Sequence, residues 1–177
     1  MSAPASPSAG SPFWRFSLHF YRHRNVADAC ITLQEQAGVD VNLLLFLLWH
    51  AIHNRVLSTA EISELEERIA PWRTMTIVPL RSMRRALKSP PALVGNATAE
   101  VFRTKIKAAE LEAERLQQEA MHELAVPSLL GNDAVSLEAA ARANIAAYAA
   151  LCGGPFPSSA SETLLAALAS LERNPEE

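Results

Sequence analysis

The sequence predicts an all-α protein, a compact mixed or orthogonal bundle of about six to eight helices around a buried central helix at residues 41–56. Apolar residues recur at helical spacing along most of the chain, and no segment alternates apolar and polar residues for long enough to form a sheet. The segment VNLLLFLLWHAI is apolar on every side. A helix of that kind is typically enclosed by other helices.

The first helix begins at Pro12, because a proline loses nothing at the first helical position. Phe13, Phe16 and Phe20 follow on one aromatic face, and we expect Trp14 to anchor the core beside them. The second helix then runs to Gly38, a residue that tolerates the backbone conformation found at helix ends.

The central helix follows, and Asp40 is placed to cap its start. Ser58 and Glu61 then form a capping box, which opens a fourth helix that Pro71 is expected to end. A fifth helix is predicted to start at Pro79 and to run through Lys88.

The longest predicted helix covers residues 98–125. Its apolar positions mostly step by four and three residues, which suits packing along a neighbour or a second copy, and they are Phe102, Ile106, Ala109, Ala113, Leu116, Ala120 and Leu124. This helix is therefore the candidate surface for a homodimer. Two shorter helices follow, one from about Ser136 and one from Ser159.

Composition and length predict the organisation of the chain. Residues 1–11 are small and polar and read as a disordered tail, residues 12–125 as the core helical domain, and residues 126–177 as a helical extension packed on or beside it.

The net charge of −3 argues against a chain built wholesale for nucleic acid or anionic lipid. The apolar run Leu43–Trp49 is far shorter than the ~20 residues of a membrane span. Cys30 and Cys152 indicate reduced thiols in a reducing compartment. Because the N-terminus lacks the pattern of a signal peptide and no apolar run is long enough to span a membrane, we predict a cytoplasmic protein with no membrane partner.

Four segments carry a resemblance to a known family: FWRFS at 13–17, ACITLQ at 29–34, GVDVNLLL at 38–45 and PLRSMRRALK at 79–88. Together they resemble an uncharacterised family of short bacterial proteins that is known as a domain of unknown function. The resemblance covers about Phe13 to Leu124. It implies a helical fold and a bacterial cytosolic setting, and it implies no activity, cofactor or site residue.

A basic stripe on the fifth helix is the best candidate interaction surface. It consists of Arg81, Arg84, Arg85 and Lys88, which are spaced to share one helix face. Four like charges repel one another, so a counter-anion is expected: an acidic protein surface, a phosphate or nucleic acid. Nucleic acid is the weakest of these, because no exposed aromatic residues interleave with the charges.

The alternative for the stripe is pairing inside the molecule. The preceding helix offers four carboxylates, Glu61, Glu64, Glu66 and Glu67, and an antiparallel neighbour could neutralise the stripe. Trp72 and Arg73 lie in the connector between the two helices, and we predict that they belong to the same surface.

The sequence predicts no catalytic residue, no cofactor and no metal site. The pairs His19–His23 and His50–His53 have spacings that could place two imidazoles on one face, but neither has the glutamate of known metal motifs. We expect His50 to be a core histidine with its hydrogen bonds satisfied.

Two functions remain open. The first is a non-enzymatic adaptor or regulatory protein that binds an unidentified protein partner through residues 72–88. The second is a small-molecule-binding protein or enzyme, with a pocket near Asp40 and Asn42 that the aromatic residues of helix 1 line. A deep cavity holding polar groups without internal partners would favour the second function.

Overall fold

The structure, a computed structural model, describes residues 10–126 and 128–173, and it is almost entirely helical. The predicted tail therefore lies outside the described residues up to residue 9. The helices are α1 (Pro12–Tyr21), α2 (Val26–Ala37), α3 (Val41–Ile52), α4 (Thr59–Trp72), α5 (Val78–Ala86), α6 (Asn96–Ala125), α7 (Leu137–Leu151) and α8 (Ser158–Arg173). A π-helical segment (Arg73–Ile77) joins α4 to α5, and β1 (Arg55–Val56) pairs antiparallel with β2 (Asn132–Asp133). The predicted all-α class is confirmed.

The central helix α3 is buried along almost its whole length, from Asn42 through Ala51. Its predicted cap is also confirmed, because the side chain of Asp40 accepts a hydrogen bond from the Leu43 amide at 3.1 Å. The helix ends at Ile52, four residues before the predicted limit. The reason is local: Asn54 adopts a left-handed conformation with φ of 54°, and the chain turns there into β1.

Five helices surround α3: α1, α2, α6, α7 and α8. The contact with α7 is the most extensive of these. Side chains of α7 and α8 such as Ile145, Leu164 and Leu168 belong to the same hydrophobic cluster as the leucines of α3. Residues after 126 thus contribute directly to the central core.

The helix α4 does not end at Pro71, which corrects the sequence-based expectation. It begins at the predicted capping box of Ser58 and Glu61, continues through Trp72, and passes through the π-helical segment into α5. A proline inside a helix removes one backbone hydrogen bond, and here the chain accepts that loss without a break. The result is a continuous helical run from Thr59 to Ala86, so α4 and α5 are not antiparallel neighbours.

The buried face of the long helix α6 is rotated away from the predicted apolar seam and shares Ala113 with it. The buried positions carry polar as well as apolar side chains, and they are Ala99, Glu110, Ala113, Gln117, Gln118, Met121 and Ala125. Of the predicted seam, Phe102 is 49% exposed and Leu116 is 42% exposed. The polar face points at α1, α3 and α5, where it forms one wall of a cleft.

Candidate functional site

A cleft of about 880 Å³ opens between α1, α2, the start of α3, the π-helical segment, α5 and α6. Its volume lies within the range of about 300–1,000 Å³ that is usual for small-molecule sites. Both Asp40 and Asn42 line it. A pocket at this position is the alternative that the sequence offers to a protein-docking surface.

The structure brings the basic stripe together in one wall of this cleft. Arg81, Arg84, Arg85 and Lys88 all line it. Arg81 donates to Glu110 Oε1 at 2.9 Å, and Arg84 also donates to the Glu110 carboxylate. The side chains of Arg81 and Arg84 are only about a fifth exposed, at 21% and 23%.

The partners of the stripe are on α6 and α2, not on α4. Arg81 also donates to Gln34 Oε1 at 2.7 Å and to Glu114 Oε1 at 2.8 Å. Arg85 pairs with Glu35 at 3.3 Å. The predicted pairing with the glutamates of α4 is wrong for these arginines, because α5 continues the direction of α4 instead of folding back against it.

Trp72 and Arg73 tie the start of the π-helical segment to α6 and to the start of α3, and Arg73 lines the cleft. The Trp72 Nε1–H donates to the Ala113 carbonyl oxygen at 2.9 Å. Arg73 donates to Asp40 Oδ2 at 2.9 Å and also bonds to Glu66, one of the α4 carboxylates that the sequence offered as partners. These bonds to Glu66 and Asp40 outweigh the effect of burial and raise the pKa of Arg73, so its charge is permanent.

Glu110 and Glu114 lie one turn apart on α6 and have pKa values shifted in opposite directions. Burial raises the pKa of Glu110, but the hydrogen bonds from Arg84 and Arg81 outweigh burial and the net shift is downward. For Glu114 burial dominates, and its pKa is raised despite Arg81. Glu110 is therefore the firmly ionised member, and Glu114 is the first of the two to lose its charge as the pH falls.

Three buried polar side chains form the floor of the cleft: Ser17, Asn42 and Gln118. Ser17 is 2% exposed and Gln118 is 3% exposed. The Gln118 Nε2 donates to Asn42 Oδ1 at 2.8 Å, whereas Ser17 Oγ and Gln118 Oε1 have no hydrogen-bond partner among the described residues. Leaving such an atom unpaired costs about 1–3 kcal/mol, so a native structure that keeps two of them beside a cleft calls for an explanation.

Three cations at the rim of the cleft have no ion-pair partner in the part of the chain that the structure describes: Arg22, Lys88 and Lys107. By contrast, every lining carboxylate is paired with an arginine, and these carboxylates are Glu35, Asp40, Glu110 and Glu114. The unpaired charge of the cleft is therefore positive, although the whole chain carries a net charge of −3.

The apolar wall of the cleft comes from α1. Trp14, Leu18 and Tyr21 lie on one face of that helix and line the cleft together with Ser17. Leu18 and Tyr21 are more than a third exposed. The expectation that Trp14 is a core anchor is wrong, since the core is formed by Phe13 and Phe20 instead.

Sequence reasoning missed the α6 side of the site. The apolar seam predicted for α6 does not include Glu110, Gln117 or Gln118. The available signal was a second stripe of the same helix, in which Glu110, Ala113, Gln117 and Met121 recur at helical spacing with polar residues in inward positions. The role of this stripe depends on its contacts with the arginines of α5. The spacing of residues within α6 gives no information about those contacts.

His50 takes a structural position in the core. His50 is fully buried, donates from Nδ1 to the Phe46 carbonyl at 3.0 Å and accepts from the Leu130 amide at 3.3 Å, which confirms the expected satisfied core histidine. In residues 10–126 and 128–173, no group of three or more histidine, cysteine, aspartate or glutamate side chains could hold a metal ion. None of the described helices combines the length and the apolar character needed to cross a membrane.

A protein-family model matches more than half of the chain. Residues 12–121 match the model of a family described as "Protein of unknown function (DUF2390)". No curated protein and no solved structure matches the chain significantly. The matched region reaches from the start of α1 into the last turns of α6, and it contains every residue that lines the cleft.

Proposed function

The chain belongs to the DUF2390 family, whose function is unknown, and from its cleft we propose that it is a small-molecule-binding protein for an amphipathic anion. The observation that carries the proposal is the charge imbalance. Every carboxylate in the cleft is neutralised by an arginine, while Arg22, Lys88 and Lys107 stay unpaired around it within the described residues. An anionic group at the rim would relieve the repulsion between these cations.

The remaining surface of the cleft supports a ligand that is more than a bare anion. Trp14, Leu18 and Tyr21 offer an apolar wall, and the polar residues Ser17, Asn42 and Gln118 also line the cleft. Ligand sites in proteins typically combine such a mainly apolar lining with a few polar groups that fix orientation. The ligand proposed here therefore places its anionic end at the rim and its apolar body against α1.

A rigid frame holds this site before any ligand arrives. The pairs of Arg81 and Arg84 with Glu110 bind α5 to α6, and the pair of Arg73 with Asp40 binds the π-helical segment to the start of α3. Such partly buried, multiply bonded pairs are costly to break. We therefore assign these five side chains to the frame of the cleft and the three rim cations to the ligand.

The test uses anilinonaphthalene sulfonate, a fluorescent amphipathic anion, as the probe with the full chain. Reversing the two rim lysines in Lys88→Glu/Lys107→Glu is expected to weaken its binding by about tenfold or more, because attraction at the rim becomes repulsion. The matched control is Arg68→Glu/Lys105→Glu, which makes the same change in net charge at exposed positions outside the cleft. Equal affinity of the two variants for the probe would contradict the proposal.

The second candidate function is the adaptor, which would bind its partner through a different surface from the predicted basic stripe. Glu110, Glu114 and Glu35 already form ion pairs with three of the four residues of its basic stripe. Reversing the charges of Arg81, Arg84 and Arg85 would therefore break the frame of the cleft as well as any docking of a protein. What favours protein binding now is the exposed apolar side of α6, where Phe102 and Leu116 are about half exposed. Light scattering of the wild type and of Leu116→Asp measures whether this side mediates a homodimer.

The setting of the protein is part of the same proposal. The cysteines Cys30 and Cys152 are free thiols, and burial raises the pKa of Cys30 to about 12, so that thiol is unreactive. Free thiols fit a reducing compartment such as the bacterial cytoplasm. A small ligand from that compartment fits the cleft better than nucleic acid, whose binding surfaces are strongly basic over a long stripe.

A further inference from the structure

The hairpin formed by α5 and α6 contributes little to the core of the molecule. Every residue between 70 and 120 is described, and none of them belongs to the hydrophobic cluster that surrounds α3. Within residues 82–109 of this stretch, Ala99 is the single buried residue. The outer part of the hairpin, residues 85–107, is called the outer hairpin below. Most of its surface faces solvent and is open to a partner.

The outer hairpin is basic, whereas the rest of the chain is acidic. Residues 85–107 contain five basic side chains and one acidic one, a net charge of +4, so the other residues carry −7 within the chain's total of −3. Arg85 and Arg103 each form one ion pair. Lys88, Lys105 and Lys107 form none within the described residues. A local concentration of positive charge of this kind attracts an anionic partner.

Large apolar side chains of the outer hairpin are also exposed. Leu93 is 96% exposed, and it lies in a turn closed by the hydrogen bond from the Val94 amide to the Pro91 carbonyl oxygen. Val94 is 43% exposed, Val101 63% and Phe102 49%. Leu93, Val94, Val101 and Phe102 all fall within ten consecutive residues, 93–102. The connector and the second turn of α6 therefore present an apolar surface that the rest of the molecule does not cover.

Basic and apolar side chains are interleaved in this part of the chain. Lys105 follows Phe102 by three residues and Val101 by four, so it shares a face of α6 with both. Lys88 and Leu93 lie five residues apart in the connector between α5 and α6. Long lysine side chains keep their charge in water while their stems lie along an apolar surface. Exposed apolar groups combined with basic residues are typical of segments that bind anionic lipid.

The form of this surface favours lipid over a protein or nucleic acid. The exposed apolar side chains come from a turn and from two successive positions of a helix, and none of the four lines the cleft. A protein partner needs a closely matched shape, whereas a bilayer interface adapts to a projecting surface. Nucleic acid would engage the lysines through its phosphates and leave the apolar side chains in water.

We propose that the outer hairpin binds the surface of a membrane rich in anionic phospholipid, with Leu93 and Val94 in the interfacial region and the lysines beside lipid phosphates. The inference goes beyond the proposed function and does not depend on a ligand in the cleft. It differs from the sequence-based prediction of no membrane partner, which considered the length of apolar runs and not a local surface. The cytoplasmic face of a membrane is anionic, so attachment there is compatible with the predicted compartment.

The experiment is co-sedimentation of the full chain with vesicles. One set contains equal parts of phosphatidylglycerol and phosphatidylcholine, and the other contains phosphatidylcholine alone. Binding to the anionic vesicles is expected to be about tenfold or more tighter, because each basic residue near an anionic surface adds to the attraction. Added salt is expected to weaken it, since salt screens that attraction.

Matched variants locate the binding on the outer hairpin. Leu93→Asp is expected to weaken binding to the anionic vesicles about tenfold or more, because it removes an apolar contact and adds a repelled charge. Val135→Asp is the control: Val135 is 97% exposed outside the hairpin, and the change in net charge is the same. Lys105→Glu is likewise expected to weaken binding about tenfold, whereas Arg68→Glu, at an exposed position of α4, is not.

Contact with the bilayer is measured with a nitrobenzoxadiazole label on Leu93→Cys, in a Cys152→Ser background. The remaining Cys30 is buried and does not compete for the label. Anionic vesicles are expected to raise the emission of the label and shift it to the blue, because the label leaves water for the lipid interface. The same label on Val135→Cys is expected to stay unchanged.

Each contrary outcome has a definite reading. Absence of binding to the anionic vesicles, or equal binding to both sets, would overturn the inference. So would a Leu93→Asp variant that binds like Val135→Asp. Retention on DNA without binding to vesicles would assign the basic charge to nucleic acid, and a change in oligomeric state without it would assign the apolar tip to a second copy. Neither Leu93 nor Lys105 lines the cleft, so probe binding there tests the proposed function separately.

Discussion

Buried polar side chains connect parts of this molecule that are far apart in the sequence. Asn144 is fully buried, accepts from the Leu57 amide at 2.8 Å and donates to the Leu47 carbonyl at 3.0 Å. His50 likewise joins α3 to Leu130 across 80 residues. At the scale of single residues, specificity therefore comes from a few polar groups whose partners are all present, set within a core that is otherwise apolar.

A pH dependence of stability follows from His50. Burial lowers the pKa of His50 to about 4, against about 6.5 when unfolded, because a charged imidazole would lose its hydration and its bond from Leu130. Between pH 6.5 and pH 4, the unfolded chain binds a proton at His50 and the folded chain does not. Stability from this group is thus complete above pH 6.5 and is lost as the pH falls towards 4, by roughly 3 kcal/mol in all.

The measurement is the titration of the His50 ring protons by NMR, with denaturant unfolding at several pH values. A midpoint near 4 is expected for the ring. His50→Gln should flatten the decline of unfolding free energy between pH 6.5 and 4. A ring that titrates near its ordinary value would refute the assignment.

At the scale of elements, the helical run from Thr59 to Ala86 gives the cleft its shape. Two prolines, Pro71 and Pro79, lie on either side of the π-helical segment, and the Thr76 hydroxyl donates to the Trp72 carbonyl at 2.7 Å inside it. Wider π-helical turns often occur at functional positions. Here the segment places Arg73 against Asp40 and leads α5 along α6, so the irregular turn sets where the basic stripe lies.

Asp40 joins two of these elements, and its two roles can be separated by mutation. One carboxylate oxygen caps α3 through the Leu43 amide, and the other accepts from Arg73 and Gln117. Asp40→Asn keeps a good cap but removes the charge pair, so we expect a loss of about 2 kcal/mol of unfolding free energy. Asp40→Ala also removes the cap and should cost about 1 kcal/mol more.

Urea unfolding measures both losses. Asp28→Asn and Asp28→Ala serve as controls, because Asp28 lies exposed in the first turn of α2 and forms no ion pair within the described residues. Both controls should stay within about 0.5 kcal/mol of the wild type. If Asp40→Asn proved as stable as the wild type, the pair with Arg73 would contribute nothing to the frame.

At the scale of the whole molecule, the core depends on helices that lie outside the family match. The match ends at residue 121, yet α7 provides the most extensive cover for α3, and α8 joins the same cluster. Small residues such as Ala140 and Ala141, both fully buried, allow α7 to approach closely. The cleft therefore sits on a core that the C-terminal helices complete.

Ala141→Glu tests this dependence in the full chain. A carboxylate forced into that contact has no partner and too little room, so we expect a loss of about 3 kcal/mol or more and a lower thermal midpoint. Ala146→Glu is the matched control on the exposed side of α7 and should unfold like the wild type. A cooperative melt of Ala141→Glu at the wild-type temperature would mean that α7 is dispensable for the core.

Local chemistry explains why much of the fold could be predicted. The central helix is apolar on every side, the Asp40 cap and the Ser58–Glu61 capping box are short-range patterns, and all three depend only on neighbouring residues. The end of α4 could not be predicted from neighbouring residues alone. A proline lowers the stability of a helix without dictating a break, and the packing of α4 and α5 against other helices outweighed it here.

The candidate site likewise has features that the sequence predicts and features that only the folded structure decides. Residue spacing was enough to place Arg81, Arg84, Arg85 and Lys88 on one face and to mark the start of the central helix as a possible pocket. Only the folded arrangement could decide that Glu110 and Glu114 neutralise the first two, that Lys88 has no ion-pair partner within the described residues, and that Ser17 Oγ and Gln118 Oε1 have no hydrogen-bond partner there. Helix formation and apolar burial depend on composition over a few turns, whereas the state of a charge or an amide depends on which distant side chain comes to lie beside it.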